Sequence, residues 1–387
     1  MIYMDNAATT RMRPEVVETM IPYMGYRYAN PSGIYTFSAE IKSNINSARQ
    51  VLASTINADP DEIFITSGGT ESDNWALKIA ADHHPGGHLI TTKIEHHAIL
   101  HSCEYLEKHG ISVTYLDVDR YGMVDLNQLI SAIRDNTFLI SVMAANNEIG
   151  TIQPIAEIGK IASEHNIMFH TDAVQAYTNV PIDVKKMNIT MLSTSAHKIN
   201  GPKGIGFLYI KKGCKMTPYI HGGGQEHGMR AGTENVAGIM GFSKAAGIAS
   251  DNRKVRTQQE IRMRNYMIRR VLNEISMVTL NGHPSKRLPN NMNFSFGYVD
   301  GASLIVMLDK QGICASAGSA CSSGSKLPSH VLKAIGLADE TAHATVRFTI
   351  NEYLTKNEID YTVNCLKKNI RELREASEDY QQFLRES

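Results

Sequence analysis

Residues 193–202 read STSAHKINGP, and this short turn with its single lysine decides how the rest of the chain is interpreted. An apolar, β-prone run precedes the turn, and a second strand-like run, residues 204–210, follows its Gly-Pro step. Lys198 is therefore expected between two strands, where an amine is partly desolvated and can act as a neutral nucleophile. Ser195 and His197 lie beside it and can donate hydrogen bonds to an anion. An amine for a Schiff base and donors for a phosphate are what pyridoxal phosphate (PLP) requires, although an isolated His-Lys pair is also typical of a surface turn.

The composition favours a large cytoplasmic protein. The chain has 387 residues, enough for two domains with sizeable cores, and its 39 basic residues balance 39 acidic ones. This balance does not suggest nucleic acid or an anionic membrane as a partner, and no apolar run is long enough to span a bilayer. The N-terminus has neither a basic segment nor an apolar signal core. The five cysteines are scattered and lack CxxC spacing, so neither a disulfide framework nor a zinc ribbon is indicated.

Short apolar runs alternate with helix-length amphipathic segments as far as about residue 250. Strands are expected at residues 62–66, 88–92, 112–116, 138–142, 167–171, 191–194 and 204–210. Helical patterns at residues 96–109, 126–134 and 155–165 lie between them. The alternation predicts an α/β fold with a mostly parallel central sheet and helices on both faces. Ligands of such sheets bind beyond the carboxyl ends of the strands.

A polar, basic stretch opens a long helical pattern that runs from residue 251 to about residue 275. We expect it to connect a large PLP-binding domain, residues 13–250, to a smaller α+β domain. The smaller domain would consist of residues 1–12 and 251–387.

The first chemical feature at a strand end is the sequence Ser67-Gly68-Gly69-Thr70. Its glycines follow a strand and open a helix, so bare backbone N–H groups and the positive end of the helix face one point. Gly69 and Thr70 would then form an anion cradle. The competing interpretation is an ordinary helix N-cap provided by Ser67 or Thr70.

Two further strand ends carry ionisable groups. Asp172 ends an apolar run and would pair with a protonated pyridine nitrogen, while Gln175, one turn later, could reach a ring hydroxyl. An Asp that caps the next helix is an equal alternative. His96 begins a helix after a strand, where it could stack on a planar ring and shuttle protons. A metal site with His97 and His101, or simple helix-start histidines, are its alternatives.

Two segments could supply further polar contacts. Asn147 follows the strand at residues 138–142 and could position a ring hydroxyl or a carboxylate. The glycine-rich stretch of residues 221–235 could approach a phosphate, with Thr233 as a hydroxyl donor, or could be an ordinary connection.

The last third of the chain contributes a thiol and an arginine. Cys321 lies among Gly, Ala and Ser residues, which bury little surface, so its segment is expected to be a mobile, exposed loop with a reactive thiol. Cys314 lies in a β-like run and is expected in the core. Arg347 falls in the middle of an apolar strand pattern at residues 345–350, where a guanidinium requires a carboxylate from the protein or the substrate.

Taken together, these motifs resemble the NifS/IscS-type cysteine desulfurases, which are PLP enzymes of the aspartate-aminotransferase fold (fold type I). The resemblance covers nearly the whole chain. Its motifs are Tyr3–Thr10, Asn30–Ser32, Gly68–Asn74, Glu95-His96, Asn146–Gly150, Thr171–Gln175, Ser195–Lys198, Arg230–Asn235, Gly318–Cys321 and Val346–Phe348. The Gly-Ser-Ala-Cys segment is similar to that of the group with the longer cysteine loop.

The resemblance implies a role for each candidate residue. Lys198 would hold PLP as an internal aldimine, and the phosphate would contact Gly69, Thr70, Ser195, His197 and, from the second subunit of a homodimer, Thr233. Asp172 would pair with the ring nitrogen, Gln175 and Asn147 with the ring hydroxyl, and His96 would stack on the ring as a catalytic group. Arg347, helped by Asn147, would bind the substrate carboxylate. No metal is implied, apart from a transient iron–sulfur ligand at Cys321.

The implied reaction converts L-cysteine to L-alanine through an external aldimine and a ketimine. The Cys321 thiolate would attack the substrate sulfur and keep it as a persulfide. A sulfur-acceptor protein, such as an iron–sulfur scaffold, would then receive it. Rival interpretations are a selenocysteine lyase or a small-substrate aminotransferase, which would not need Cys321, and a non-catalytic partner in a sulfur-transfer complex.

The sequence also departs from the family's usual pattern. Gly33 and Tyr35 stand where Ser and His are common, His227 replaces an expected Arg, and Asn351-Glu352 replace Gly-Arg. The chain ends soon after a polar helix expected at residues 358–383, without the longer extension of IscS-type members. This favours a NifS-like member with a different docking mode.

Overall fold

The computed structural model describes residues 1–215, 217–317 and 328–386. The strands, numbered in chain order, are β1 (Ile2–Tyr3), β2 (Ile63–Thr66), β3 (His88–Thr92), β4 (Ser112–Leu116), β5 (Thr137–Ser141), β6 (Met168–Asp172), β7 (Met191–Ser193), β8 (Gly206–Ile210), β9 (Val278–Leu280), β10 (Asn291–Phe296), β11 (Ile313–Cys314), β12 (Ser316–Ala317) and β13 (Thr345–Thr349).

The α-helices are α1 (Pro14–Met24), α2 (Thr36–Ser54), α3 (Gly69–Asp82), α4 (His97–Glu107), α5 (Leu126–Ala132), α6 (Ile155–Glu164), α7 (Val236–Asp251), α8 (Arg253–Glu274), α9 (Gly301–Lys310), α10 (His330–Ala334), α11 (Asp339–His343), α12 (Lys356–Glu375) and α13 (Glu378–Glu386). Short 3-10 turns span Pro60–Glu62, Ala196–Lys198 and Glu226–Gly228.

The central sheet has the strand order β2-β8-β7-β6-β5-β3-β4. The strands β7, β6, β5, β3 and β4 pair in parallel, whereas β8 is antiparallel to both of its neighbours. Every residue of β3, β5 and β8 is buried, as is usual for a parallel sheet covered by helices on both faces. The predicted α/β fold with a mostly parallel sheet is confirmed, and each strand lies within two residues of its expected position.

A second, antiparallel sheet has the order β12-β13-β10-β9 and packs against α8 and α9, which in turn contact α12. Its core contains Phe294, Phe296 and Phe348. The N-terminal strand β1 pairs in parallel with β11, so the first residues of the chain join the C-terminal part. The domain limits at residues 13–250 and at 1–12 with 251–387 stay a prediction.

The polar helix expected at residues 358–383 is two helices, α12 and α13, separated at Ala376 and Ser377. Tyr380 and Phe383 of α13 contact the ring of Tyr298, with centroid distances of 5.6 and 5.3 Å. The periodic pattern continues across the break because both helices turn their apolar side chains toward the body of the protein.

Every helix that the structure describes is too short or too polar to span a bilayer.

Candidate active site

A cavity of about 280 Å³ opens at the carboxyl ends of the central strands. The residues that line it follow β2, β3, β5, β6 and β7, which is where parallel α/β sheets bind ligands. Predicted site residues in its wall are Gly69, Thr70, His96, Asn147, Asp172, Gln175, Ser195, His197, Lys198 and Arg347. Sequence positions up to 278 residues apart are thus brought to one site.

Lys198 ends the 3-10 turn between β7 and β8, as predicted. Its Nζ donates hydrogen bonds to the carbonyl oxygens of Ala7, at 2.5 Å, and Ala8, at 2.9 Å. The N-terminal segment is fixed beside the lysine because Thr10 donates through its N–H and its hydroxyl to the carbonyl of His197. The side chain is partly buried in the cavity wall, so the surface-turn alternative is wrong.

The start of α3 brings Gly69 and Thr70, the residues expected to form an anion cradle, into the cavity wall. Gly68 is the N-cap, with a φ of 150°, and no side chain caps the helix, so the alternative of a Ser67 or Thr70 cap is wrong. A Cβ on Gly69 would lie 2.6 Å from Cγ2 of Val174, so a larger residue would clash there. Backbone N–H groups at this helix end and the Thr70 hydroxyl meet Ser195 in the same wall. This set of donors suits a phosphate.

Asp172 is the last residue of β6 and is buried. Its Oδ1 accepts a hydrogen bond from the N–H of Val174 at 2.8 Å, so it caps the following turn and also lines the cavity. The helix-cap alternative is wrong, because residues 174–179 form a turn and not a helix, and the contact of Asp172 with a ring nitrogen stays a prediction. Burial raises the pKa of Asp172, and the nearby Lys198 opposes this. A cationic ring nitrogen in the cavity would stabilise the carboxylate further.

His96 forms the N-cap of α4, since its Nδ1 accepts a hydrogen bond from the N–H of Ala98 at 3.1 Å. Burial, with a smaller contribution from Lys198, lowers the pKa of His96 to about 4. The ring is therefore neutral at physiological pH and can stack on an aromatic ring or exchange a proton. His97 and His101 stack on each other, but no group of three metal-binding side chains is assembled in the described part of the chain.

Of three further predicted contact residues, Gln175 and Asn147 lie in the cavity wall and Thr233 does not. Gln175 lines the cavity, and its Nε2 donates to the Ala7 carbonyl at 3.0 Å. Asn147 also lines the cavity, and its carbonyl accepts a hydrogen bond from Arg347. Thr233 is exposed and is not among the described residues that line the cavity. Its expected role in the site of a second subunit stays a prediction.

Arg347 is only 2% exposed in the centre of β13. Its Nη2 donates to Oδ1 of Asp5 at 2.8 Å, and its Nη1 donates to the carbonyl of Asn147 at 2.9 Å. The carboxylate that the sequence required is thus Asp5. The Nε of Arg347 is buried and has no hydrogen-bond partner among the described residues, so a donor remains for a ligand carboxylate.

We expect Arg347→Lys to raise KM for L-cysteine by about 10- to 100-fold with a smaller change in kcat, because a lysine cannot keep both protein contacts and also bind a carboxylate. Steady-state kinetics with varied L-cysteine measures this. Arg374→Lys is the matched control, since Arg374 is buried but donates to the carbonyls of Gly297 and Ser276. An unchanged KM in Arg347→Lys would contradict the assignment.

Several residues of the wall were not predicted as site residues. Asp73 and Glu148 lie inside motifs on which the family resemblance rests, so the sequence indicated these segments but gave no role to the two residues. Burial raises the pKa of Glu148 to about 7, and its Oε2 accepts a hydrogen bond from Ser329 at 2.5 Å. His330 also lines the cavity, and no pattern in the sequence signals it.

Cys321 lies outside the described residues. Described residues near each end of its segment have contacts that relate them to the site. Ser316 is the cross-strand partner of Arg347, and His330 is in the cavity wall. Cys314, expected in the core, is a half-buried free thiol in β11.

The departures from the family pattern leave the cavity wall intact. Asn351 donates to Asn6 at 3.5 Å, and Glu352 forms an ion pair with Arg13. These contacts fasten the end of the Arg347 strand to the N-terminal segment. Tyr35 is exposed, and His227 packs edge-on against Phe64.

The residues present fit PLP by their chemistry. The cavity combines an amine, a phosphate cradle in which a side chain on Gly69 would clash, and a buried carboxylate for a ring nitrogen. The same wall contains buried nitrogen atoms, Nε of Arg347 and Nδ1 of His97, that have no hydrogen-bond partner among the described residues. Unpaired polar atoms of this kind indicate a site that a polar ligand completes.

Comparisons with known proteins show the family to which the chain belongs. Residues 2–362 match the family described as aminotransferase class-V. The chain is 52% identical over 386 residues to the cysteine desulfurase IscS of Clostridium botulinum strain Hall, covering 98% of this chain and 97% of the relative.

Two solved structures are also similar. One, described as a NifS-like protein, has a TM-score of 0.89 and 36% identity, covering 95% of this chain and 98% of that one. Another, SspA in complex with cysteine, has a TM-score of 0.81 and 39% identity, covering 92% and 100%. Class-V aminotransferases and cysteine desulfurases are PLP-dependent enzymes. The chain therefore belongs to the class-V aminotransferase family and, within it, to the cysteine desulfurases of the IscS and NifS type.

Proposed function

We propose that the protein is a PLP-dependent cysteine desulfurase that converts L-cysteine to L-alanine and retains the sulfur as a persulfide on Cys321. The observation that carries the proposal is the single cavity that holds Lys198, Asp172 and Arg347 together. An amine, a ring-nitrogen partner and a carboxylate-binding arginine are the groups that an amino-acid substrate needs in a PLP enzyme.

The cofactor-binding roles are those that the resemblance implies. Lys198 would hold PLP through its Nζ, Asp172 would contact the ring nitrogen and His96 would stack on the ring. The remaining contacts would come from Gly69, Thr70, Ser195 and His197 to the phosphate and from Gln175 and Asn147 to the ring hydroxyl. When bound, PLP supplies an electron sink for the carbon that loses its proton.

Substrate binding is assigned to Arg347 and Asn147. Arg347 is held on two sides by Asp5 and the Asn147 carbonyl, so its position is fixed before a ligand arrives. A preorganised guanidinium binds a carboxylate with two charge-assisted hydrogen bonds. The similar SspA structure was solved in complex with cysteine, and this supports L-cysteine as the substrate here.

Proton transfer is assigned to Lys198 and His96. The Nζ of Lys198, once released from the cofactor by the substrate amine, would take the α-proton and return it elsewhere on the substrate. The neutral imidazole of His96, whose pKa is lowered to about 4, can exchange a proton without carrying a resting charge beside Lys198.

Sulfur transfer is assigned to Cys321. Its thiolate attacks the substrate Sγ, an S–S bond forms as the Cβ–Sγ bond breaks, and the released electron pair and a proton stay with the carbon product, which becomes L-alanine. Cys321 follows Ala317 by four residues, a stretch that can extend at most about 14 Å. Because Ser316 is paired with Arg347, this length starts beside the substrate site.

A homodimer is part of the proposal. Segment 21–35 exposes large apolar side chains close together in sequence, and such patches usually mark an interface. They are Ile21, Met24, Tyr26, Tyr28, Ile34 and Tyr35. The second subunit would also supply Thr233 to the phosphate, since Thr233 is exposed in its own chain.

The sulfur acceptor is proposed to be a protein of the iron–sulfur scaffold or sulfur-relay class, as the family implies. A cytoplasmic location is proposed because the cysteines among the described residues are free thiols, as is usual in a reducing compartment.

Brief exposure of the purified protein to L-cysteine without reductant, followed by peptide mass analysis, tests the function. We expect one added sulfur atom on Cys321 and none on Cys103, Cys214, Cys314 or Cys365. Absence of added sulfur in a protein that binds PLP would indicate a lyase or aminotransferase instead. Sulfur on another cysteine would keep the activity and overturn the assignment of the nucleophile.

A further inference from the structure

Asp73 lies at the floor of the cavity, one turn of α3 after Gly69. Its side chain is only 1% exposed, and it shares the cavity wall with Asp172. Its Oδ1 has no hydrogen-bond partner among the described residues. A buried carboxyl oxygen without a partner is destabilising, so its presence in the wall of a ligand site indicates a role there.

Asp73 belongs to a hydrogen-bonded network beneath Asp172. His170 precedes Asp172 by two residues on β6, so both side chains leave the same face of the sheet. The ring of His170 contacts the Ser141 hydroxyl through Nδ1 at 2.9 Å and the Ser193 hydroxyl through Nε2 at 3.0 Å. The same Nε2 is 3.7 Å from Oδ1 of Asp73. The carboxyl group of Asp73 also interacts with the side chain of Ser193.

The charges around Asp73 disfavour a second anion. Burial raises the pKa of Asp73, and Asp172 on β6 and Glu95 after β3 raise it further. Burial lowers the pKa of His170 to about 3, so this ring is neutral and provides no cation for Asp73. Lys198, the cation on this side of the cavity, lowers the pKa of Asp172 and so favours the ionised form of that residue. Two carboxyl groups in such a site do not both ionise.

We propose that Asp73 is a positioning residue for Asp172: as a carboxylic acid in the Ser141–His170–Ser193 network, it leaves Asp172 to carry the negative charge that faces the ring nitrogen of PLP. The inference rests on the proposed cofactor site, and it adds a residue to it. Asp73 acts through Asp172 and the network.

The first test uses the cofactor-free full-length chain. The folded protein holds the Asp73 proton more strongly than the unfolded chain does, so this residue's contribution to stability falls as pH rises from about 3.8 through the folded-state pKa. Asp73→Asn cannot titrate. We expect the difference in melting temperature between Asp73→Asn and the parent to grow by about 2 °C per pH unit as pH rises above about 4.

Asp82→Asn is the matched control because Asp82 ends the same helix and is exposed. It shows how much of any pH-dependent change comes from the loss of a carboxyl group on this helix as such. A flat difference for Asp73→Asn would overturn the proposal. This measurement needs no PLP, so it is independent of a failure of the proposed function, which would appear as a parent protein that does not bind PLP.

The second test separates positioning from a purely structural role. An amide can replace a carboxylic acid in the network, whereas alanine cannot. We expect Asp73→Asn to bind PLP within about threefold of the parent, and Asp73→Ala to bind it at least about tenfold more weakly with a shifted pH midpoint of the bound-cofactor absorbance. Equal losses in both variants would show that the negative charge of Asp73 is needed. A folded Asp73→Ala with parental affinity and midpoint would show a structural role alone. Either result would overturn the proposal.

Discussion

Cys321→Ala is expected to abolish sulfide release from L-cysteine, by on the order of 10³-fold or more, while PLP stays bound. The reason is chemical. In the persulfide route the Cβ–Sγ bond breaks as a nucleophilic thiolate takes up the sulfur atom. Among the described residues that line the cavity, the only sulfur-bearing side chain is that of Met143, and its thioether is not such a nucleophile. The cofactor contacts proposed above do not include Cys321, so the visible absorbance should match that of the parent protein.

Sulfide release in the presence of dithiothreitol, measured together with alanine formation, checks this expectation. Cys214→Ala is the matched control, because Cys214 is a half-buried free thiol that lies outside the cavity wall. It should retain parental activity. Alanine formed by Cys321→Ala at the parental rate would refute Cys321 as the sulfur acceptor. Sulfide released together with pyruvate in place of alanine would refute the persulfide route and indicate a lyase.

The fold could be predicted from the sequence because the central strands are buried on both faces. Such strands are continuous apolar runs, and the runs at residues 88–92 and 112–116 coincide with β3 and β4. Glycine and small polar residues then mark the strand ends. Since parallel strands align their carboxyl ends at one edge, Gly69, Asp172 and Lys198 could be expected together.

Contacts between distant parts of the chain could not be predicted. Arg347 clearly required a carboxylate, but its partner Asp5 is 342 residues away, and no periodicity relates the two positions. The same holds for His330, which enters the wall from the C-terminal part of the chain. His96 and Asp172 were each given competing roles, and each serves as a cap and as a wall residue at once, His96 capping a helix and Asp172 a turn. A residue between a strand and the next helix or turn can do both.

Lys198→Ala is expected to lower the rate of L-cysteine turnover by about 10⁴-fold or more. This variant loses the attachment point of PLP and also the base that is proposed to move the α-proton, so two contributions to catalysis disappear with one side chain. Lys198→Arg should lose as much activity, because a guanidinium keeps the positive charge near Asp172 but is neither a nucleophile nor a base at neutral pH.

Covalent attachment distinguishes this prediction from a general loss of folding. Borohydride reduction of the parent protein should fix the cofactor to the peptide that contains Lys198, and neither variant should be labelled. Lys203→Ala is the matched control, since Lys203 is exposed five residues further along the same turn, and it should be labelled and active. Label on a different lysine in the parent protein would move the attachment site, and with it the identity of the base. The cavity geometry opposes that result, because Lys198 is the lysine among the described residues that line the cavity.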